Sequence, residues 1–182
     1  MQFIKKFKSA LLYRTIRLET KKQNRSTKPK NVDDCASILI LFDSDHNDQI
    51  NQILKLSQLF REQGKRILLL ATSSSDESEQ KAYSVLTRKD INWYGKPNEK
   101  SQVSQIINKD WDCMLSLYVT PNSTLDYIGA KCRAFTKAGF YNGKNDYLDI
   151  LVDLGKKDFR YSLKELLNIL KTIKSRSYEP AV

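Results

Sequence analysis

The sequence predicts an α/β protein: a three-layer sandwich of the Rossmann-like or flavodoxin-like kind with a mostly parallel sheet, preceded by a basic N-terminal helix. Two observations indicate this fold. Short apolar runs alternate along the chain with segments whose apolar residues recur at helical spacing. The apolar runs are continuous, as expected for strands that are buried on both faces of a sheet.

The first predicted element is a helix from Phe3 to about Lys22, a segment that lacks Gly and Pro. Most apolar residues of this helix share one side: Phe3, Ile4, Phe7, Ala10, Leu11 and Leu18. Leu12, Tyr13 and Ile16 fall on a second side, so we expect contacts on two faces. The polar residues 23–30 predict a linker.

A βαβ unit follows the linker. It consists of a strand from Ser37 to Phe42, a helix from about Asp48 to Gln63, and a second strand from Arg66 to Ala71. Gly64 is typical of a helix end. The short connections predict a right-handed crossover between parallel strands.

The later elements follow the same alternation. Thr120 and Pro121 are predicted to be the N-cap and first residue of a helix that reaches about Phe135. The remaining predicted elements are a strand at 83–87, a helix at 98–108, strands at 112–118, 138–141 and 148–154, and a helix at 159–174. The predicted organisation is an arm and linker at 1–30, one α/β domain at 31–176, and a flexible tail at 177–182.

The positive charge is concentrated in the first 30 residues. They hold ten basic residues and the single acid Glu19, so this segment carries +9 of the total net charge of +10. Such asymmetry is typical of a protein with a polyanionic partner. The predicted polyanion-binding residues are Arg14, Arg17, Lys21, Lys22 and Arg25.

Three partners fit a basic amphipathic arm. The leading hypothesis is a non-catalytic protein that binds RNA, most plausibly the ribosome, through phosphate contacts whose affinity falls with salt. The alternative is an anionic membrane surface, with the apolar side of the helix inserted among the headgroups. A plain structural role is also open, in which the arm packs on its own domain or on a protein partner, because long basic side chains also cover apolar surface. A separate hypothesis, independent of the arm, is a small enzyme or ligand sensor that uses the loops Asp43 to Asp48 and Thr120 to Ser123.

A ligand site is expected in the crevice at the carboxyl ends of the strands. Its candidate residues are Asp43, Asp45, His46, Asp48, Thr120, Asn122 and Ser123. The acids and the histidine could form a metal or general-base cluster, but helix capping explains them more simply because a cap needs only one of them. The chain has neither a glycine-rich dinucleotide fingerprint nor a Walker loop.

Trp93 and Tyr94 form a predicted partner surface. Lys89 and Lys96 flank them, and aromatic rings among cations can stack on nucleobases or anchor a protein. The alternative is that both rings cover a sheet edge.

We assign no catalytic residue, metal ligand or cofactor from the sequence, and we expect a binding protein rather than an enzyme. The three cysteines form no metal-binding spacing and are interpreted as reduced core thiols: Cys35, Cys113 and Cys132. Neither a secretory signal nor a spanning segment is recognisable, so we predict a cytoplasmic protein, with the periphery of the inner membrane as the alternative.

Four segments read in order resemble an uncharacterised bacterial family of short α/β proteins: SILILFD, KDINWYGK, DCMLSLYVTPNSTLDYIGAKCRAFTKAGFYN and YLDILVDL. This resemblance covers most of the predicted domain. It implies the fold and a bacterial cytoplasmic setting but no activity.

The opening strand and the segment from Asp112 to Phe140 also resemble the N-terminal half of heptosyltransferase-type glycosyltransferases. In that comparison Asp48 falls at the position of the family's base, while Asn47 stands where that family has glycine. The second domain of those enzymes is absent from this sequence. The resemblance therefore implies shared architecture and a vestigial nucleotide- or sugar-binding domain without catalysis.

Overall fold

The computed structural model describes residues 2–22, 29–45, 47–73, 82–98, 102–155 and 157–173. The helices in these ranges are α1 (Gln2–Lys22), α2 (Asn47–Glu62), α3 (Gln102–Asn108), α4 (Ser123–Lys131) and α5 (Phe159–Thr172). The strands are β1 (Ser37–Asp43), β2 (Arg66–Thr72), β3 (Ser84–Leu86), β4 (Asp110–Ser116), β5 (Arg133–Phe140) and β6 (Ile150–Val152).

The strands form one sheet in the order β3-β2-β1-β4-β5-β6, and every pair of neighbours among them is parallel. The chain adds β2 and β3 on one side of β1 and then returns to add β4, β5 and β6 on the other. The gap between β1 and β4 is therefore the topological switch point, where open α/β sheets usually bind ligands.

Helices cover both faces of the sheet. Alternate residues of β1 point to opposite faces, so Ile38 and Ile40 pack with α2 and α5, while Leu39 and Leu41 pack with α1, α3 and α4. The predicted three-layer α/β sandwich is confirmed. The three cysteines are buried in its interior, as expected for core thiols.

Helix α1 packs along α4 as part of one helical layer. Leu12 and Ile16 are buried in the apolar cluster that α1 shares with α3 and α4. Leu11 and Leu18, which belong to the other apolar side of the helix, are 37% and 53% exposed. The helix thus contacts the domain through its second, smaller apolar side.

The bounds of α4 differ from the predicted ones. Asn122, rather than Thr120, is the N-cap, because its side-chain oxygen accepts a hydrogen bond of 3.2 Å from the backbone N–H of Leu125. The helix ends at Lys131 instead of near Phe135, since the chain joins β4 as strand β5 from Arg133 onward.

The end of α4 is stabilised by a residue that follows it. The buried Lys137 extends its ammonium back to the helix and donates to the carbonyl oxygens of Gly129 and Ala130, at 2.8 and 3.0 Å. A cation suits the last carbonyls of a helix, whose orphan acceptors it satisfies.

Candidate functional site

The crevice that the fold predicts exists at the carboxyl ends of the strands. A cavity of about 260 Å³ lies there, lined by residues that follow β1, β2, β3 and β4. Three of the predicted crevice residues, Asp43, Asp45 and Asn122, are among its lining. Thr72 and Ser73, from a second loop expected at the strand ends, also line it, as do Thr87 and Arg88, which the sequence analysis did not single out.

Local hydrogen bonds hold the crevice loops together. Asp43 accepts from the backbone N–H of Asp45 at 3.0 Å, and Asn122 donates to the Thr72 hydroxyl at 2.8 Å. Asn122 therefore caps α4 and also fastens the end of β2. The crevice presents carboxylates, hydroxyls and the Arg88 guanidinium, a set that suits hydrogen bonding to a polar ligand.

The other four predicted crevice residues are not found in the described lining of this cavity. Thr120 is exposed and Ser123 lies beside Gly95, and neither lines the cavity. His46 and the side chain of Asp48 lie outside the described residues. Within the described ranges, no group of three or more His, Cys, Asp or Glu residues is arranged to hold a metal ion.

The predicted partner surface has one exposed ring and one packed ring. Trp93 is 63% exposed, whereas Tyr94 packs against the cluster shared by α1, α3 and α4. The two rings meet edge to face, with centroids 5.2 Å apart. Thr124 holds this loop by donating to the carbonyl oxygen of Gly95 at 2.8 Å, so Trp93 projects from a fixed turn.

Four of the five predicted polyanion-binding residues lie on the exposed side of α1. We call Arg14, Arg17, Lys21 and Lys22 the cationic face, since all four are exposed while Leu12 and Ile16 are buried. Lys22 also contacts Glu19 on the same helix, with nitrogen and oxygen 3.4 Å apart. Arg25 lies outside the described residues.

Part of the cationic face borders a cleft. A cavity of about 410 Å³, here called the α1 cleft, lies between α1 and residues 143–147. Its lining is Tyr13, Ile16, Arg17, Thr20, Lys21, Gly143, Lys144, Asp146 and Tyr147. The Lys144 ammonium stands 4.5 Å from the centroid of the Tyr13 ring. The sequence analysis missed Lys144, because it considered only the charge excess of the arm.

A buried carboxylate connects the two walls of the α1 cleft. Asp126 is fully buried and accepts hydrogen bonds from Tyr13 at 2.8 Å and Tyr118 at 2.7 Å. Asn142 and Tyr147 complete the set at 3.2 and 3.4 Å. Both walls are thereby tied to one residue of α4.

Burial controls the ionisation of this cluster. It raises the pKa of Asp126, although the four donors favour the charged form. Burial, together with the nearby Asp126 charge, also raises the pKa values of Tyr13 and Tyr147, so both rings remain neutral donors. Sequence reasoning missed Asp126, because one acid inside a predicted helix carries no local signal of burial.

Two basic side chains make contacts within the domain and stabilise the fold. Lys30 forms an ion pair with Asp112, with nitrogen and oxygen 2.6 Å apart, and the hydrogen bond between them raises the pKa of Lys30. The buried Lys65 donates to the carbonyl oxygens of Asp33 and Cys35 at 2.7 and 2.9 Å. These side chains already have partners and are poor candidates for ligand contacts.

Helix α1 is the longest helix in the described ranges, but it does not qualify as a membrane span. Over the part of the chain that the structure describes, no helix is both long enough and apolar enough to cross a bilayer.

The parallel sheet, its strand order and its two helical layers define a Rossmann-like α/β protein. The chain belongs to DUF6913, a family of unknown function whose model matches residues 8–173. The match includes most of α1 as well as the whole sheet, and it confirms the resemblance to an uncharacterised α/β family. Comparison with curated proteins and with solved structures gave no match.

Proposed function

We propose that this protein is a non-catalytic binder of RNA, with the ribosome as its leading target, and that it contacts phosphates through the cationic face of α1. The observation that supports this function is the orientation of the helix. Leu12 and Ile16 are buried against the domain, which turns Arg14, Arg17, Lys21 and Lys22 toward solvent.

A docked helix is better suited to this task than a flexible arm. The Tyr13 hydroxyl, bonded to the buried Asp126, adds a polar anchor to the apolar contacts of α1. At about 1.5 Å of rise per residue, Arg14 and Lys21 stand about 10 Å apart along the helix axis, so the row spans several backbone phosphates. Fixed cations lose less conformational freedom on binding than mobile ones.

The number of cations sets the expected salt dependence. Each phosphate contact contributes roughly 0.7 to 0.9 to the slope of log affinity against log salt concentration. Four contacts therefore predict a slope of about −2.8 to −3.6, equivalent to a loss of about 50- to 150-fold in affinity between about 50 and 200 mM salt.

The test is sedimentation with purified ribosomes, and binding to a structured RNA, over this salt range. In the test variant all four residues of the cationic face become Gln: Arg14→Gln, Arg17→Gln, Lys21→Gln and Lys22→Gln. We expect binding and its salt dependence to be lost. Equal binding by this variant and the unmodified chain would refute the proposal.

A matched control removes the same charge from the opposite helical layer. It changes four exposed cations of α2 and α5: Lys55→Gln, Arg61→Gln, Lys164→Gln and Lys171→Gln. We expect this control to bind almost normally. An equal loss of binding in both variants would point to net charge rather than to α1.

A second candidate function is association with an anionic membrane surface. It is favoured by the exposure of Leu11 and Leu18 beside the cations of α1. Vesicles of phosphatidylglycerol and phosphatidylcholine would sediment the chain, and the uncharged replacements Leu11→Gln with Leu18→Gln should strongly weaken this binding while leaving RNA binding nearly unchanged. We propose a cytoplasmic location under either function.

A further inference from the structure

We propose that the α1 cleft binds a free nucleotide, a small phosphorylated molecule with a planar ring. This inference goes beyond RNA binding by the cationic face. It concerns a different ligand and depends on Lys144, which is not part of that face.

Three cations from two elements converge on the cleft. Arg17 and Lys21 come from α1, and Lys144 comes from the segment after β5. Among the residues that the structure describes, none of the three forms an ion pair with a carboxylate. Asp146 is the acid in the lining, so the lining residues carry a net charge of about +2. Like charges gathered in one cleft repel each other, and a bound phosphate would relieve this repulsion.

The size of the cleft selects a small molecule. Its volume of about 410 Å³ lies within the range of roughly 300 to 1,000 Å³ typical of small-molecule sites. Its position between a helix and a short loop gives a ligand two walls to contact. The cationic face, in contrast, is a convex helix surface.

Tyr13 offers ring surface to the uncharged part of a ligand. It is half-buried and its hydroxyl is bonded to Asp126, so it presents mainly ring atoms to the cleft. Tyr147 and Ile16 are each 4% exposed and close the floor of the cleft. The Tyr13 ring suits the face of a base, while the cations suit its phosphates.

The cleft is preorganised. Tyr13 belongs to α1, Tyr147 lies on the opposite side of the cleft, Asn142 directly precedes that segment, and all three donate to Asp126. Tyr118 and Tyr147 are also joined, with oxygens 2.8 Å apart. Because both walls are held by the same buried network, little of the binding free energy would be spent on ordering the site.

The test is isothermal titration of the full chain with ADP, pyrophosphate and adenosine. We expect ADP to bind more tightly than either fragment, because it alone uses the cations and the Tyr13 ring together. Lys144→Gln should weaken ADP binding at least tenfold and leave ribosome binding unchanged. Because Lys144 is exposed, its replacement should leave the fold intact, and a thermal melt of the variant checks this point.

A second variant keeps the two proposals separate. Arg14→Gln with Lys22→Gln removes cations that do not line the cleft, so it should weaken ribosome binding and spare ADP binding. If ADP fails to bind at millimolar concentration, or if Lys144→Gln binds it normally, the nucleotide site is refuted whatever happens with RNA. Equal affinities for pyrophosphate and ADP would refute the role of the Tyr13 ring.

The same phosphate chemistry could also come from the end of an RNA chain. Competition with a 5′-phosphorylated oligoribonucleotide and with its dephosphorylated form distinguishes the two sources. If only the phosphorylated form displaces ADP, and does so at lower concentration than ADP itself binds, the cleft is a site for RNA ends and the free-nucleotide proposal is wrong.

Discussion

At the scale of single residues, Asp126 connects α1 to the rest of the protein. A fully buried carboxylate is costly, and it persists in folded proteins when hydrogen bonds satisfy it. Here three tyrosines and one asparagine donate to it, and one of these donors is Tyr13 of α1. The position of the cationic face therefore depends on a residue that has no access to solvent.

Replacing Tyr13 with Phe removes one of these donors and leaves the ring in place. We expect the free energy of unfolding to fall by about 1 to 3 kcal/mol, the usual range for a hydrogen bond to a charged or buried acceptor. Urea unfolding measures the loss, and amide exchange within α1 should become faster. Tyr161→Phe on α5, where the side chain is 59% exposed, is the control and should change neither quantity. Unchanged exchange in Tyr13→Phe would mean that apolar contacts alone hold the helix.

The ion pair between Lys30 and Asp112 predicts a pH dependence. Burial alone would raise the pKa of Asp112, but hydrogen bonds from Lys30 and Ser37 outweigh it and lower this pKa. A carboxyl group with a lowered folded pKa adds stability above its unfolded pKa of about 3.9, and this contribution is lost as the pH falls through the folded value. Lys30→Met should therefore be less stable than the unmodified chain at pH 7, with the difference shrinking toward pH 3.

Urea unfolding at about pH 7, 5 and 3 measures this difference. Lys157→Met provides the comparison, because Lys157 pairs with Glu165 at a position where both side chains are more exposed to water. Its effect should be smaller at every pH. A Lys30→Met deficit that persists at the lowest pH would assign the effect to packing rather than to charge.

At the scale of elements, the sequence predicts contacts between neighbouring helices and strands better than contacts between elements that are far apart in the chain. The βαβ unit of β1, α2 and β2 was predicted within a residue or so at each end, because its apolar runs and Gly64 are local signals. The helix α1 was also predicted, with contacts expected on two faces, but no local signal showed that the side with Leu12 and Ile16 would be the one buried on the domain. Leu12 and Ile16 are buried because α4 lies against them, and α4 is more than 100 residues away in the sequence.

The candidate sites show the same difference between contacts that a fold rule predicts and contacts that depend on distant packing. Asp43, Asp45 and Asn122 share a crevice because strand ends in a parallel sheet meet at one edge, a rule that needs only the fold class. Lys144 joins Arg17 and Lys21 only because α1 docks beside residues 143–147, and no local pattern contains this information. The end of α4 was misplaced for a related reason, since the residues from Arg133 onward pair with β4.

The packing of α4 against Tyr147 predicts the effect of Gly129→Ala. A Cβ atom at residue 129 would lie 2.6 Å from Cε2 of the Tyr147 ring. Alanine normally favours a helix over glycine by roughly 0.5 to 1 kcal/mol, whereas overpacking of a core costs about 1 to 3 kcal/mol. We therefore expect net destabilisation in urea unfolding. In a Tyr147→Leu background the same substitution should cost less, and a double-mutant cycle measures this difference.

At the scale of the whole molecule, the basic segment at residues 1–30 contacts the rest of the domain at two places. Leu12 and Ile16 are buried on one face, and Lys30 pairs with Asp112 and exchanges hydrogen bonds with Thr136. The net charge of +9 in residues 1–30 thus belongs partly to the structure and partly to its surface. Substitution of the outer cations is consequently a cleaner test of binding than removal of the segment.

A chain that starts at Asn31 should be strongly destabilised. Loss of buried Leu or Ile side chains costs about 2 to 5 kcal/mol each, and the total stability of a domain is about 5 to 15 kcal/mol. We expect a lower melting temperature by circular dichroism and aggregation on size-exclusion chromatography. A truncated chain that melts cooperatively at the temperature of the full chain would show that α1 adds nothing to the stability of the domain.

The hydrogen bond from Tyr13 to Asp126 joins residues 113 positions apart, and this separation has a consequence for the growing chain. At roughly 5 to 20 residues per second, about 6 to 23 s pass between the synthesis of these two residues. During that interval the apolar side of α1 that carries Leu12 and Ile16 has no docking surface, because α4 has not yet been made. Helix α1 is translated before α4 but reaches its final place only after α4 has formed, and a chaperone acting on nascent chains would meet it undocked.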